Sequence, residues 1–210
     1  MKNLLIIGAR GLGREVYDLA MDCIASGADF EIKGFLDDKT DALDGFEGYP
    51  PIIDSVEQYE IQPDDVFSCA LGDPKWRRHY TEIVLAKGGK FVTLIGPKTI
   101  IRRNCHIGEG CIITNGSNIS VDCYIGNYAA ILDSSVAHDA MVGDFSVLSG
   151  KVCVNGGAEI GKDAYLGCNS LIVPHKKVGD GAFVGIGSVV LTSVKAGTKV
   201  YGNPAKRIDF

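Results

Sequence analysis

The chain predicts an α/β unit over residues 1–96 followed by a parallel β-helix of about five coils over residues 97–210, and three observations carry that prediction. Aliphatic residues recur every six positions through the second half. A glycine-rich turn joins an apolar strand to an amphipathic helix at the start. Between these two regions, short apolar segments end in aspartate or glycine.

The opening LLIIGARGLGREVYDLA reads as a buried strand, a turn, and a helix that gathers Leu12, Val16, Leu19, Cys23 and Ile24 on one face. Gly8, Gly11 and Gly13 are spaced GxxGxG rather than the GxGxxG of dinucleotide folds, which argues against NAD. Backbone amides at the helix start, with Arg10 and Leu12 between the glycines, are still placed to receive a diphosphate. A second strand, Glu31 to Leu36, ends in Asp37 and Asp38, where such folds hold a carboxylate for ribose hydroxyls. A loop rich in Gly, Asp and Pro follows. A third strand, Val66 to Leu71, ends in Gly72 and Asp73; a helix runs from Pro74 to Ala86, and Lys90 to Ile95 makes a fourth strand. The result is a small parallel, Rossmann-like sheet. Tight turns and helix caps would explain the same glycines and aspartates. Their joint placement at strand ends, where ligands of open α/β sheets collect, favours a binding site.

The repeat runs through Ile101, Ile107, Ile113, Ile119, Ile125 and Ile131, takes one five-residue step, and continues from Val136 to Val190 at intervals of six. Four places after each aliphatic residue stands a small one, such as Cys105, Cys111, Ser117 or Cys123, with Val152, Lys176 and Val194 as the exceptions. A period of six fits neither a helix nor a lone strand. It fits a solenoid whose triangular coils each take three hexapeptides, with the aliphatic residue inward and the small one at the corner. Glycines directly after the aliphatic position, among them Gly108, Gly126 and Gly143, read as serving tight backbone geometry. At ~4.8 Å per rung the prism stands roughly 25 Å tall. Its open ends need covering, a task for the first unit and the tail Tyr201 to Phe210.

Composition narrows the function. A net charge of −5 offers no field for nucleic-acid phosphates. The apolar run Leu4 to Ile7 is far too short for membrane insertion, so a cytoplasmic location is expected. Seven cysteines without a CxxC pair read as free thiols rather than zinc ligands. His106, His138 and His175 fall at different places in the hexapeptide, so no metal is expected there either.

GARGLGREV, the following FLDD, the hexapeptide repeat and the closing Tyr201-Gly-Asn-Pro-Ala-Lys-Arg207 together resemble the sialic-acid O-acetyltransferase family. That family also contains the UDP-4-amino-sugar (bacillosamine-type) and GDP-perosamine N-acetyltransferases, and the resemblance spans essentially the whole chain. It implies a left-handed β-helix, a homotrimer, a nucleotide sugar held by the first domain, and acetyl-CoA lying between neighbouring β-helices. N-acetylation of a UDP-4-amino sugar is the favoured activity; sugar O-acetylation and a catalytically inactive nucleotide-binding trimer are the alternatives. His138-Asp139 in AHDAMVGD matches the family's catalytic pair. Acetyl transfer needs a base for the acceptor's proton, a task suited to a neutral imidazole, and a carboxylate can orient the ring. His138 lies two residues past the inward Val136, close to the five-residue step, where a perturbed coil would turn a side chain outward. The resemblance further places Gly156, Cys168 and Ile186 against acetyl-CoA and Lys206, with Arg207, near its phosphates. Three positions depart from the family pattern: Leu12 and Val147 replace histidines and Ile131 replaces a polar residue.

Overall fold

A computed structural model of the chain describes residues 1–208. The first part holds strand β1 (Lys2–Ile7), helix α1 (Gly11–Ala25), strands β2 (Phe30–Leu36), β3 (Ile52–Asp54) and β4 (Asp65–Cys69), and helix α2 (Pro74–Ala86). The strands form one parallel sheet in the order β3-β2-β1-β4. Two of the three turn glycines have a steric reason. Gly8 takes a φ of 93°, and a Cβ on Gly13 would run into the carbonyl oxygen of Gly8, so α1 presses directly on the turn that precedes it. Gly11 faces open space.

The predicted fourth strand, Lys90 to Ile95, does not join this sheet as a strand. Phe91 makes a single bridge to Phe67, and Leu94–Ile95, strand β5, pairs in parallel with Ile112–Ile113 as the first rung of the β-helix. The sheet's fourth member is β3, which arises inside the loop rich in Gly, Asp and Pro.

From β5 onward the chain coils into a prism with three flanks, almost every rung a strand of two residues. The first flank runs from Leu94–Ile95 to an antiparallel closing strand, Lys206–Arg207. The second runs from Ile100–Ile101 to Val189–Val190 and the third from His106–Ile107 to Lys177–Val178. The aliphatic series points inward: Ile119, Ile125, Val154, Leu166 and Ile172 are all fully buried. Small residues beside them use their hydroxyls and thiols as inward donors. The Cys111 thiol donates to the Gly126 carbonyl at 3.1 Å and the Ser146 hydroxyl to that of Gly161 at 2.6 Å. Burial pushes the Cys123 thiol up to about 11, which keeps it an inert, protonated core group.

Two expectations about the coil change. The left-handed backbone falls on the third residue past each aliphatic position, where Asn104, Asp122, Tyr128, Asp139, Phe145 and His175 all have φ near 60°. The glycines directly after the aliphatic residue are needed for space instead: a Cβ on Gly143 would sit 2.6 Å from the Gly161 carbonyl carbon in the next coil, and one on Gly126 2.7 Å from the Asp144 nitrogen. Gly143→Ala should therefore cost about 1–3 kcal/mol of stability by overpacking, read by denaturant unfolding. The five-residue step is absorbed within one corner, at Asp133 (φ 44°), where Ser134 takes the small inward place and donates to the Ser149 carbonyl at 2.7 Å. Register then holds, with Ser135–Val136 paired to both Asn118–Ile119 and Cys153–Val154. The coil is thus regular where it reaches His138.

The two parts share a core. Ile112, Ala130 and Val147, on the outward face of the first flank, are fully buried in one cluster with Leu4, Val16 and Leu19. Arg78 of α2 adds a polar clasp, donating from Nε and Nη2 to the two carboxylate oxygens of Asp163 at 2.7 Å each while its guanidinium stacks 4.0 Å over Phe145. Arg77, fully buried, ties the end of β4 to the β-helix through the carbonyls of Cys69 and Tyr128.

Candidate active site

Two regions of the surface answer the sequence's expectations. One is a cavity of about 390 Å³ at the carboxyl ends of β1, β2 and β4, lined by Gly8, Arg10, Leu12, Asp37, Asp38, Gly72 and Asp73. Gly11 faces instead a broader cleft of about 990 Å³ between the α/β part and the first flank, which Leu12, Gly72 and Asp73 also border. Gly13 is packed beneath Gly8 and has a structural task.

The three aspartates differ in what they do. Asp37 accepts from the Ala9 amide at 2.8 Å and from the Lys39 amide at 2.9 Å, so its carboxylate pins the glycine turn to the end of β2. Asp73 caps α2, accepting from the amides of Lys75 and Trp76. Asp38 is exposed at the cavity wall and accepts from the Tyr80 hydroxyl at 2.8 Å. Partial burial, assisted by the Asp38 carboxylate, pushes the Tyr80 phenol up to about 12. Trp76 and Tyr80 complete the cavity from α2. Sequence reasoning missed both, although their separation by four on a recognised helix places them on one face.

The second region is the corner between the second and third flanks. There His138 Nδ1 lies 2.7 Å from Asp139 Oδ2, and both side chains are well exposed, at 60% and 65%. A proton on Nδ1 donated to the carboxylate leaves Nε2 as an acceptor. The ring rests against the next coil: a Cβ on Gly156 would stand 2.6 Å from both Cε1 and Nε2 of His138. The amides around the turn are largely spent, with Gly157 donating to the His138 carbonyl at 2.9 Å and His175 to that of Gly156 at 3.0 Å. Among the described residues, the Gly156 N–H has no hydrogen-bond acceptor.

The remaining cofactor positions are not gathered at that corner. Cys168 and the strongly exposed Ile186 stand in one column between the first and second flanks, and Lys206 lies in the hairpin that closes the first flank, opposite Tyr201. The outward face of the second flank separates Gly156 from Cys168 and Ile186. Two of the departures from the family pattern are core residues, since Val147 is buried in the core shared with α1 and Ile131 points into the prism. Leu12 is part of the wall between cavity and cleft. Among the described residues no cluster of three or more His, Cys, Asp or Glu is arranged to hold a metal.

Comparison with known proteins bears on both regions. The family model of the PglD N-terminal domain matches residues 3–84, the stretch that builds the cavity. GDP-perosamine N-acetyltransferase of Escherichia coli O157:H7 is 32% identical over 97% of this chain and 95% of its own length. The chain belongs to the hexapeptide-repeat sugar N-acetyltransferase family. Within that family, UDP-N-acetylbacillosamine N-acetyltransferase of Bacillus subtilis is 31% identical over about half of each chain, 54% of this one and 51% of the relative. The acetyltransferase domain of PglB from Neisseria gonorrhoeae FA1090 superposes with a TM-score of 0.89 at 27% identity, covering 99% of this chain and 100% of that one. The same domain has been solved in complex with acetyl coenzyme A. The β-helix is left-handed, as in the family.

Proposed function

We propose that the protein transfers the acetyl group of acetyl-CoA to the amine of a nucleotide-linked 4-amino sugar, acting as a homotrimer whose sites lie between chains. The observation that carries the chemistry is the exposed His138–Asp139 pair beside the free Gly156 amide. The acceptor nitrogen attacks the thioester carbon and passes its proton to His138 Nε2, while Asp139 steadies the imidazolium. The Gly156 N–H stabilises the oxygen that gathers charge. Collapse re-forms the carbonyl and expels the CoA thiolate, which takes the proton from His138.

The division of the surface supports the assembly. The sugar-nucleotide cavity adjoins the first flank, whereas His138 stands at the opposite corner and lines neither cavity nor cleft. A second chain brings the two together. Ile112, Ala130 and Val147 of the first flank are covered by the chain's own α/β part, while Ile100, Val121, Tyr124 and Met141, all on or between the other two flanks, are apolar and exposed. Three such prisms packed about a threefold axis bury that surface and make three equal sites. Cys168, Ile186 and Lys206 then serve acetyl-CoA from across the subunit boundary. The α/β part holds only the acceptor, and the β-helix, which begins with the rung Leu94–Ile95, holds the donor. No described helix is long and apolar enough to cross a membrane, and the proposed substrates, acetyl-CoA and a nucleotide sugar, favour a cytoplasmic enzyme.

Thiol release from acetyl-CoA, measured with GDP-perosamine and with a UDP-4-amino sugar, tests this reading. Release that depends on one of these acceptors, with a product acetylated at nitrogen, is the expected result. Release with neither would contradict it.

A further inference from the structure

His175 is one chemically capable side chain that the mechanism above does not use. It stands two coils from His138 on the same corner, in the left-handed conformation (φ 60°) and exposed. Between the two lies the Gly156-Gly157 turn, and each glycine is seated under one imidazole. A Cβ on Gly156 would overlap the ring of His138, and one on Gly157 would overlap that of His175, 2.8 Å from Cε1 and closer still to Nδ1. Backbone conformation alone does not require glycine here. Gly156 is not in the left-handed region, and at the position equivalent to Gly157 other coils carry Asp122, Asp139 or Asn104. The pair of glycines therefore has one physical reason, which is to let two rings from the coils on either side converge on a single turn.

What the turn lacks is a second donor. A developing oxyanion is best held by two N–H groups, and within the Gly156-Gly157 turn only the Gly156 amide lacks a hydrogen-bond acceptor among the described residues. The amides of Gly157, Ala158, Asp139 and His175 are each bonded to carbonyls, and Asn155 Nδ2 donates to the Ile172 carbonyl at 2.8 Å. A neutral imidazole carries one N–H donor, and the His175 ring has no hydrogen-bond partner among the described residues. We propose that His175 is a second catalytic imidazole, donating an N–H to the thioester oxygen as the acceptor nitrogen attacks. In this step the new C–N bond forms, the amine proton goes to His138, the C–S bond breaks, and the thiolate leaves with that proton. His175 keeps its own proton throughout. The inference rests on the assignment of His138 as the base.

The test compares His175→Ala, His175→Gln and His138→Ala with the wild type, using acetyl-CoA and GDP-perosamine, with a UDP-4-amino sugar in parallel. His175→Ala is expected to lower kcat on the order of 10²-fold, as for loss of an oxyanion donor, with both KM values and the melting temperature nearly unchanged. His175→Gln, which keeps an N–H donor, should recover part of that rate. An undiminished kcat in His175→Ala would overturn the proposal, as would a rise in the KM for acetyl-CoA alone or a rate loss matched by lost stability. An inactive His138→Ala beside a fully active His175→Ala refutes this inference and leaves the base intact. Full activity in His138→Ala would refute the base itself.

Discussion

His138→Ala is expected to lower kcat by a factor of about 10²–10⁴, the usual contribution of a positioned general base. The side chain lies 60% exposed at a corner and supports no inward packing, so the melting temperature and the proposed trimer should survive. Asp139→Asn should lose less, because the ring keeps its seat on Gly156 and only the charge that steadies the imidazolium is removed. Steady-state kinetics alongside a thermal melt separates these effects. A variant that keeps most of its rate would remove His138 from the chemistry while leaving fold and family untouched.

The second large effect is expected at Asp38. Asp38→Ala should raise the KM for the sugar nucleotide by about 10–100-fold, the loss of a charge-assisted hydrogen bond of ~1.5–3 kcal/mol, and leave that for acetyl-CoA unchanged. Asp37→Ala is a different experiment. Its carboxylate holds the Ala9 and Lys39 amides, so its removal should lower the melting temperature as well as weaken the acceptor. Equal losses for both substrates at Asp38 would mean that the carboxylate shapes the fold rather than the cavity.

Much of this site could be read from the chain before any coordinates. A strict six-residue period survives because each inward Ile, Val or Leu meets its counterparts in the coils above and below, so one misplaced residue would be felt in three coils. The cavity's aspartates and glycines were legible because strand ends of a parallel sheet gather ligands. Other features were not. Two-residue rungs carry no alternation, so Leu94–Ile95 looked like the end of a longer strand rather than the start of a coil. The glycines of the repeat read from sequence as backbone requirements, because a sequence does not display the next coil against which a Cβ would collide. Trp76 and Tyr80 are not legible as cavity residues, since helical spacing tells which residues share a face and not which cavity that face closes. Relations between residues two coils apart, such as those of His138 and His175 across Gly156-Gly157, depend on the register of the whole prism.

The central claim is that the cavity of one chain and the imidazole of another form one site, and mixed trimers test it most directly. His138→Ala chains and Asp38→Ala chains, each nearly inactive alone at low sugar-nucleotide concentration, are co-expressed in equal amounts with distinguishable tags and purified as mixed trimers. If the site is shared between neighbours, cyclic symmetry pairs an intact imidazole with an intact cavity at one site in each mixed trimer, and thiol release should return to roughly a third of the wild-type rate. If both components belonged to a single chain, every site would carry one lesion, and mixed trimers no more active than the parents would contradict the account.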